Sequence, residues 1–249
     1  MNSPSYTNTG DIMAIFSIKH LILIFLLIIF PILIGSKLKK SKTILSRILL
    51  FLLALEIFKF LFLILTNNYH LNNNLPLQLC YLYPIIGLIY LKTKKKYLLN
   101  YLGAFGIFFS FAAIIFTDST HLFSFNIMYC YFYHFFLLIS GVYITKNYKT
   151  KFSFNNIILM FIQIAIAFIA NSIIKNGSNY IFLNTFLDPF HYSDYIDNVA
   201  AFNIRIFGTS INDILIFLIN NLGMIVYLLL FTIIIITFSS LALYIFGKK

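Results

Sequence analysis

Charged residues are scarce in this chain, and acidic residues are the scarcest. Only 10% of the 249 residues are charged, and only seven residues are Asp or Glu. Soluble domains carry about 25% charged residues, whereas this chain is 61% hydrophobic with a mean hydropathy of +0.92. A chain this apolar cannot cover its own surface in water. The composition therefore excludes a soluble globular protein and indicates a membrane protein.

Cysteine and the familiar catalytic motifs are also nearly absent. The two cysteines, Cys80 and Cys130, both lie in apolar segments, which excludes a disulfide framework. No CxxC, HExxH, GxxxxGK or GxSxG pattern occurs, and the five histidines are scattered without metal-ligand spacing. We therefore expect no metal, no cofactor and no soluble catalytic domain.

Long apolar runs dominate what is present. Seven segments are long enough to span a bilayer, which takes about 20 residues. The sequence thus predicts an all-α fold, with one polytopic membrane bundle of about seven transmembrane helices over residues 1–249. The first ten residues carry no Lys or Arg, and no cleavage site follows, so no cleavable signal peptide is predicted. The segments are 12–34, 44–65, 75–91, 97–116, 123–145, 156–174 and 220–246.

The basic residues follow every second segment. Fourteen of the eighteen Lys and Arg residues come after the first, third and fifth segments or end the chain. Because cytoplasmic loops are rich in Lys and Arg, this pattern predicts an outside N-terminus and a cytoplasmic C-terminus, in a multi-pass protein of the cell membrane. The net charge of +11 then reflects lysines near anionic headgroups, so we expect membrane phospholipids as partners and no nucleic acid.

One long connection, residues 175–219, separates the last two segments. On the predicted topology it is extracellular, and its apolar stretches indicate segments lying at the membrane interface. Loops of this length are uncommon unless they are functional or disordered. Two interpretations stay open, a lid over an outer cavity and a plain connector.

Polar side chains inside the segments converge on the outer half of the predicted bundle. Such groups are costly in lipid and usually face a bundle interior or a cavity. Cys80 lies four residues before Pro84, which has no N–H for the Cys80 carbonyl, so a helix kink is predicted there. The other polar residues of this layer are His20, Glu56, Lys59, Gln78, Asn126 and His134.

Each of these residues also has a purely structural explanation. Glu56 and Lys59, three residues apart on one helix face, can form an ion pair that neutralises itself. Gln78 can bond a neighbouring helix, and Cys130 can serve as a small hydrophobic residue. For the layer as a whole we favour a functional site.

Several short elements, taken in order, resemble the YwaF-type bacterial membrane proteins. They are Phe16-Ser-Ile-Lys-His20-Leu, Glu56, Leu75-Pro-Leu-Gln-Leu-Cys80, Tyr131-Phe-Tyr-His134-Phe-Phe and Asn179-Tyr-Ile-Phe-Leu183. The resemblance covers nearly the whole chain and implies a seven-helix bundle. It also relates the chain to a eukaryotic transmembrane protein proposed to be an acyltransferase that makes polyunsaturated ether phospholipids.

The resemblance implies a lipid acyltransferase in which Cys80 is the acyl-carrying nucleophile and His134 a candidate base. This chain has Gln78 where the family usually has histidine, so His134 or His20 would have to deprotonate the thiol. Gln78 and Asn126 could donate hydrogen bonds to the oxyanion of the tetrahedral intermediate. Further supporting residues by this resemblance are Asn179 and Tyr180.

Two functions of other classes stay open. One is a transporter or binding protein for a small molecule or lipid, in which Glu56, Lys59 and His20 would be the ligand groups. The absence of an internal repeat and the odd number of helices speak against it. The other is a structural membrane protein without catalysis. An acyl adduct on Cys80 would favour the enzyme over both.

Overall fold

The computed structural model describes residues 18–70, 74–75, 77–117, 122–174, 232–234 and 236–247, and every regular element in this part of the chain is an α-helix. The predicted all-α class is confirmed. The helices with described bounds are α1 (Ile18–Lys37), α2 (Lys42–Leu65), α3 (Tyr83–Thr93), α4 (Lys96–Phe116), α5 (Phe125–Asn147), α6 (Phe154–Ile174) and α7 (Thr232–Phe246).

Within the described residues, four helices are long and apolar enough to cross a membrane, namely α1, α2, α4 and α5. The predicted span 75–91 is wrong, because α3 has only 11 residues. At 1.5 Å per residue it reaches about 16 Å, roughly half of a bilayer's hydrocarbon core. In the described residues, α6 and α7 contribute shorter apolar stretches. The start of the first predicted span and the 175–219 connection lie outside the described residues.

The segment before α3 forms turns where the sequence predicted a helix. The Tyr81 N–H donates to the Gln78 carbonyl at 3.0 Å, and the Tyr83 N–H donates to the Cys80 carbonyl at 3.3 Å. Helix α3 begins only at Tyr83, with Pro84 in its first turn. Proline suits that position because first-turn N–H groups have no partner within the helix. The predicted kink at Pro84 is therefore wrong, since Pro84 starts a helix.

Helices α4 and α5 form the centre of the bundle. In the most apolar 18-residue stretch of each helix, 78% of the residues of α4 and 67% of those of α5 are buried, against 22% in α1 and in α2. The two central helices approach closely at Gly106 and Gly141, where a Cβ on Gly141 would lie 2.6 Å from the backbone nitrogen of Ile107. Small residues allow such approach between membrane helices. Helices α1 and α2 pack on the outside of α5.

The three basic loops gather at one end of the bundle. The Tyr143 hydroxyl near the end of α5 donates to the Ser41 carbonyl at 2.8 Å, and the Asn147 amide donates to the Leu38 carbonyl at 3.1 Å. The Lys151 N–H donates to the Asn100 side chain of α4 at 3.2 Å. The predicted grouping of these loops on one side is thus present. Assignment of that side to the cytoplasm stays a prediction.

Candidate functional site

Cys80 is held in place by helix α5. The buried Tyr133 hydroxyl donates to the Cys80 carbonyl oxygen at 2.9 Å. Tyr133 lies fourteen residues before Asn147, the last residue of α5, or about 21 Å along the helix axis. Cys80 itself is half-buried and packs against the main apolar core. The thiol segment is therefore a fixed turn deep within the bundle, far from the basic loops.

Glu56 and Lys59 both have aromatic neighbours. The Tyr129 hydroxyl donates to Glu56 Oε1 at 2.6 Å. The Lys59 ammonium lies 3.9 Å from the ring centroid of Tyr81 and 5.2 Å from that of Tyr129, a cation–π arrangement. Tyr81 is the residue that follows Cys80 in the turn before α3. The Lys59 ammonium is thus held over the aromatic ring of the residue next to Cys80 in the chain.

An aromatic layer joins these groups. Tyr133 lies between Tyr81 and Tyr129, with centroid separations of 5.5 Å and 5.8 Å. Its ring also meets His134 edge to face, at 5.3 Å. The rings that hold Lys59 are therefore in contact with the ring that holds Cys80. These tyrosines were not identified from the sequence, because tyrosine is common in membrane helices near the interface and gives no specific signal.

His134 presents one nitrogen as a possible base. Its Nδ1 lies 2.7 Å from the Cys130 carbonyl oxygen. A carbonyl only accepts, so Nδ1 carries the proton and the neutral ring is basic at Nε2. The Nε2 atom is buried without a hydrogen-bond partner among the described residues. His134 thus holds an unused proton acceptor inside the bundle.

The thiol of Cys130, one helical turn before His134, lies close to the His134 ring. Cys130 Sγ lies 3.5 Å from His134 Nδ1 and 3.2 Å from the Thr117 hydroxyl oxygen. Our sequence interpretation treated Cys130 as a small apolar residue. The four-residue spacing from His134 was the signal that placed them together. Cys130 is therefore a second thiol that any test of Cys80 must include.

The remaining predicted residues differ in whether they contact the cluster formed by Cys80, Glu56, Lys59, Cys130, His134 and the tyrosines around them. His20 is buried, with Nε2 3.4 Å from the Tyr131 hydroxyl of α5. Gln78 is half-buried in the turn before α3, whereas Asn126 is exposed at the start of α5. The structure therefore does not bring Asn126 into the cluster. Asn179 and Tyr180 lie outside the described residues.

A long apolar groove adjoins the cluster. It encloses about 680 Å³ between α1 and α2 on the surface of α5, and its walls include Leu23, Leu55 and Phe132. Tyr129 and Tyr131 also line it, and their hydroxyls contact Glu56 and His20, respectively. The groove is thus an apolar space with polar groups just behind its wall. Its size falls in the range of ligand pockets, roughly 300–1,000 Å³.

Apolar helices of spanning length around a buried polar cluster define an integral membrane protein. The model of the TMEM164 family matches residues 14–244. The chain therefore belongs to the TMEM164 family. No curated protein and no solved structure matches it. The match confirms that the chain belongs to a membrane-protein family. It does not name the YwaF-type proteins, so the resemblance to them stays a prediction.

Proposed function

We propose that the protein is a lipid acyltransferase of the cell membrane that carries the acyl chain as a thioester on Cys80. One observation carries this proposal. Cys80 lies in a fixed, non-helical turn inside a membrane bundle, and the Lys59 ammonium lies 3.9 Å from the ring centroid of Tyr81, the next residue of that turn. Irregular backbone at membrane depth occurs where it is buried in protein or lines a cavity. A thiol in such a turn beside a cation has the surroundings of a nucleophile.

The proposed reaction has two half-reactions. In the first, the Cys80 thiolate attacks the ester carbonyl carbon of a donor phospholipid. The C–S bond forms, the ester C–O bond breaks, and the lysophospholipid leaves after taking a proton. In the second, the hydroxyl of an acceptor lysophospholipid attacks the thioester, gives up its proton and releases the thiolate. Ester replaces ester, so the exchange needs no oxidant and no nucleotide.

Two side chains would support these steps. The Lys59 ammonium, held over Tyr81 and Tyr129, would stabilise the thiolate and the oxyanion that follows it. His134 Nε2, which has no hydrogen-bond partner among the residues that the structure describes, would take the proton from the thiol and return it to the departing alkoxide. With His134 as the base, the Cys80 thiol can lose its proton without a histidine at position 78.

The apolar groove would hold the transferred chain. Its wall includes Tyr129, which stacks on the same Tyr133 ring that fixes Cys80. A fatty acyl tail lying between α1 and α2 would therefore have its head near the thiol. By the positive-inside rule, this site, far from the basic loops, would face the outer leaflet.

The test uses purified protein in phosphatidylcholine liposomes with an isotope-labelled donor phosphatidylcholine and lysophosphatidylcholine as acceptor. We expect labelled acyl chains on the acceptor and a hydroxylamine-sensitive acyl adduct on Cys80. Cys80→Ala should abolish both, whereas the matched thiol variant Cys130→Ala should retain the adduct. Transfer that survives Cys80→Ala, or an adduct found only on Cys130, would refute the thioester at Cys80.

The apolar groove also favours a second candidate, a lipid-binding or lipid-carrying protein without chemistry. Its occupancy would depend on the groove wall and on the charges behind it. Lipid uptake or binding that is lost in Glu56→Gln or Lys59→Gln but unchanged in Cys80→Ala would establish this alternative. A purely structural role predicts that none of the three substitutions affects transfer or binding.

A further inference from the structure

A second cavity lies at the opposite end of the bundle, among the basic loops. It encloses about 390 Å³, and four lysines line it together with Tyr90 and Tyr148. The lysines come from three separate regions: Lys40 from the α1–α2 connection, Lys94 from the α3–α4 connection with Lys96 at the first position of α4, and Lys149 from the α5–α6 connection. The fold thus brings together cations that are far apart along the sequence.

The cavity has no carboxylate among its lining residues. The three connections contain no Asp or Glu, and Glu56 is the one acidic side chain in the part of the chain that the structure describes. Glu56 belongs to the Cys80 cluster at the other end. Four like charges around one space repel each other. A bound anion would remove that repulsion.

Hydrogen bonds between the loops hold the cavity in shape. The Asn147 amide bridges the Leu38 and Tyr143 carbonyls, which ties the end of α5 to the α1–α2 loop. The Lys40 ammonium lies 5.1 Å from the centroid of the Tyr148 ring, and the Lys94 ammonium lies 5.6 Å from that of Tyr90. Both lysines are therefore held on the walls by aromatic faces. Contacts within the protein therefore shape the cavity walls.

We propose that this cavity binds a phosphate group, carried either by an anionic phospholipid headgroup or by a soluble phosphate ester. Lysine ammoniums bind phosphate as point charges. Basic pockets between membrane helices bind anionic headgroups. The proposal is independent of the Cys80 chemistry, because no residue of that cluster lines the cavity.

The test compares two triple variants of equal charge. Lys40→Gln, Lys94→Gln and Lys149→Gln together remove cavity lysines, one from each connection. The matched control combines Lys39→Gln, Lys92→Gln and Lys151→Gln, three exposed lysines that lie within two residues of the substituted cavity lysines and do not line the cavity. Native mass spectrometry of the detergent-purified full chain would measure binding of dioleoylphosphatidylglycerol, dioleoylphosphatidylcholine and glycerol 1-phosphate.

We expect the cavity triple to weaken binding of the phosphate probe by about tenfold or more, and the control triple by less than about threefold. Preference for phosphatidylglycerol over phosphatidylcholine identifies a lipid headgroup. Glycerol 1-phosphate binding without that preference identifies a soluble ester. Equal weakening by both triples, or no binding of either anionic probe to the wild type, overturns the proposal. If the cavity triple does not fold, the single variant Lys40→Gln is measured in its place. We expect it also to weaken binding of the phosphate probe, by a smaller factor.

Discussion

The Tyr133 hydroxyl is the contact by which α5 fixes the Cys80 turn, and its removal gives the most direct test of the site geometry. The change is Tyr133→Phe, which deletes one oxygen from a fully buried ring. The ring contacts with Tyr81 and Tyr129 remain possible, since they use the faces and edges of the ring. What is lost is the 2.9 Å hydrogen bond to the Cys80 carbonyl.

The size of the effect depends on which hydrogen bonds the Cys80 carbonyl keeps when the Tyr133 hydroxyl is removed. Leaving a buried acceptor unsatisfied costs about 1–3 kcal/mol. Here the Tyr83 N–H still donates to the Cys80 carbonyl, although at 3.3 Å, and Pro84 has no N–H to offer. We therefore place the cost at the lower end, about 1 kcal/mol, which corresponds to a roughly fivefold larger population of the opened turn.

The assay is the rate at which N-ethylmaleimide alkylates Cys80, measured by mass spectrometry in a Cys130→Ser background. If alkylation requires the turn to open, Tyr133→Phe should raise the rate about fivefold. The matched control is Tyr101→Phe, which also removes a buried tyrosine hydroxyl, but one that donates to Gln163 Oε1 at 2.5 Å. An unchanged rate in Tyr133→Phe, or an equal rise in both variants, would refute the reasoning.

Two further predictions concern the centre of the bundle. Gly141→Ala should destabilise the protein by about 1–2 kcal/mol in SDS unfolding from mixed micelles, because the new Cβ meets backbone at 2.6 Å and overpacking outweighs the gain in helix propensity. Gly87→Ala should be close to neutral, because its nearest contact is a movable leucine methyl at 2.9 Å; equal losses would contradict this. Tyr101→Phe alone should cost about 1 kcal/mol, whereas Tyr101→Phe with Gln163→Met should cost less than the sum of the single changes, since both partners are then apolar. Additive losses in that double variant would show that the hydrogen bond does not couple the two residues.

Hydropathy predicted the long helices well, because lipid leaves the backbone few alternatives. The segment 44–65 corresponds to α2 (Lys42–Leu65), and 97–116 corresponds to α4 (Lys96–Phe116). The prediction of a spanning helix over 75–91 failed because an apolar turn buried in protein has the same composition as an apolar helix. Pro84 was the available signal. It was interpreted as a kink within a helix, although proline at the start of a helix is more common.

The site was predictable only where its residues are close in sequence. Cys130 and His134 are one turn apart, so their contact follows from helix geometry. The contact of Tyr133 with Cys80 joins residues 53 positions apart, and that of Tyr129 with Glu56 joins residues 73 apart. No periodicity in a single sequence specifies such pairs. The tyrosine hydroxyls that organise the site were therefore recognisable only once the helices were packed.

The form of the Cys80 segment itself argues for a functional role. A structural cysteine could sit in a continuous helix, where each backbone carbonyl is satisfied within the segment. Here the helix begins only at Tyr83, and the Cys80 carbonyl accepts from the Tyr133 hydroxyl of another helix as well as from the Tyr83 N–H of its own turn. Such a turn costs stability unless something is gained from it. On the proposed function, the gain is a nucleophilic thiol on a backbone outside helical register, next in the chain to the Tyr81 ring that holds Lys59.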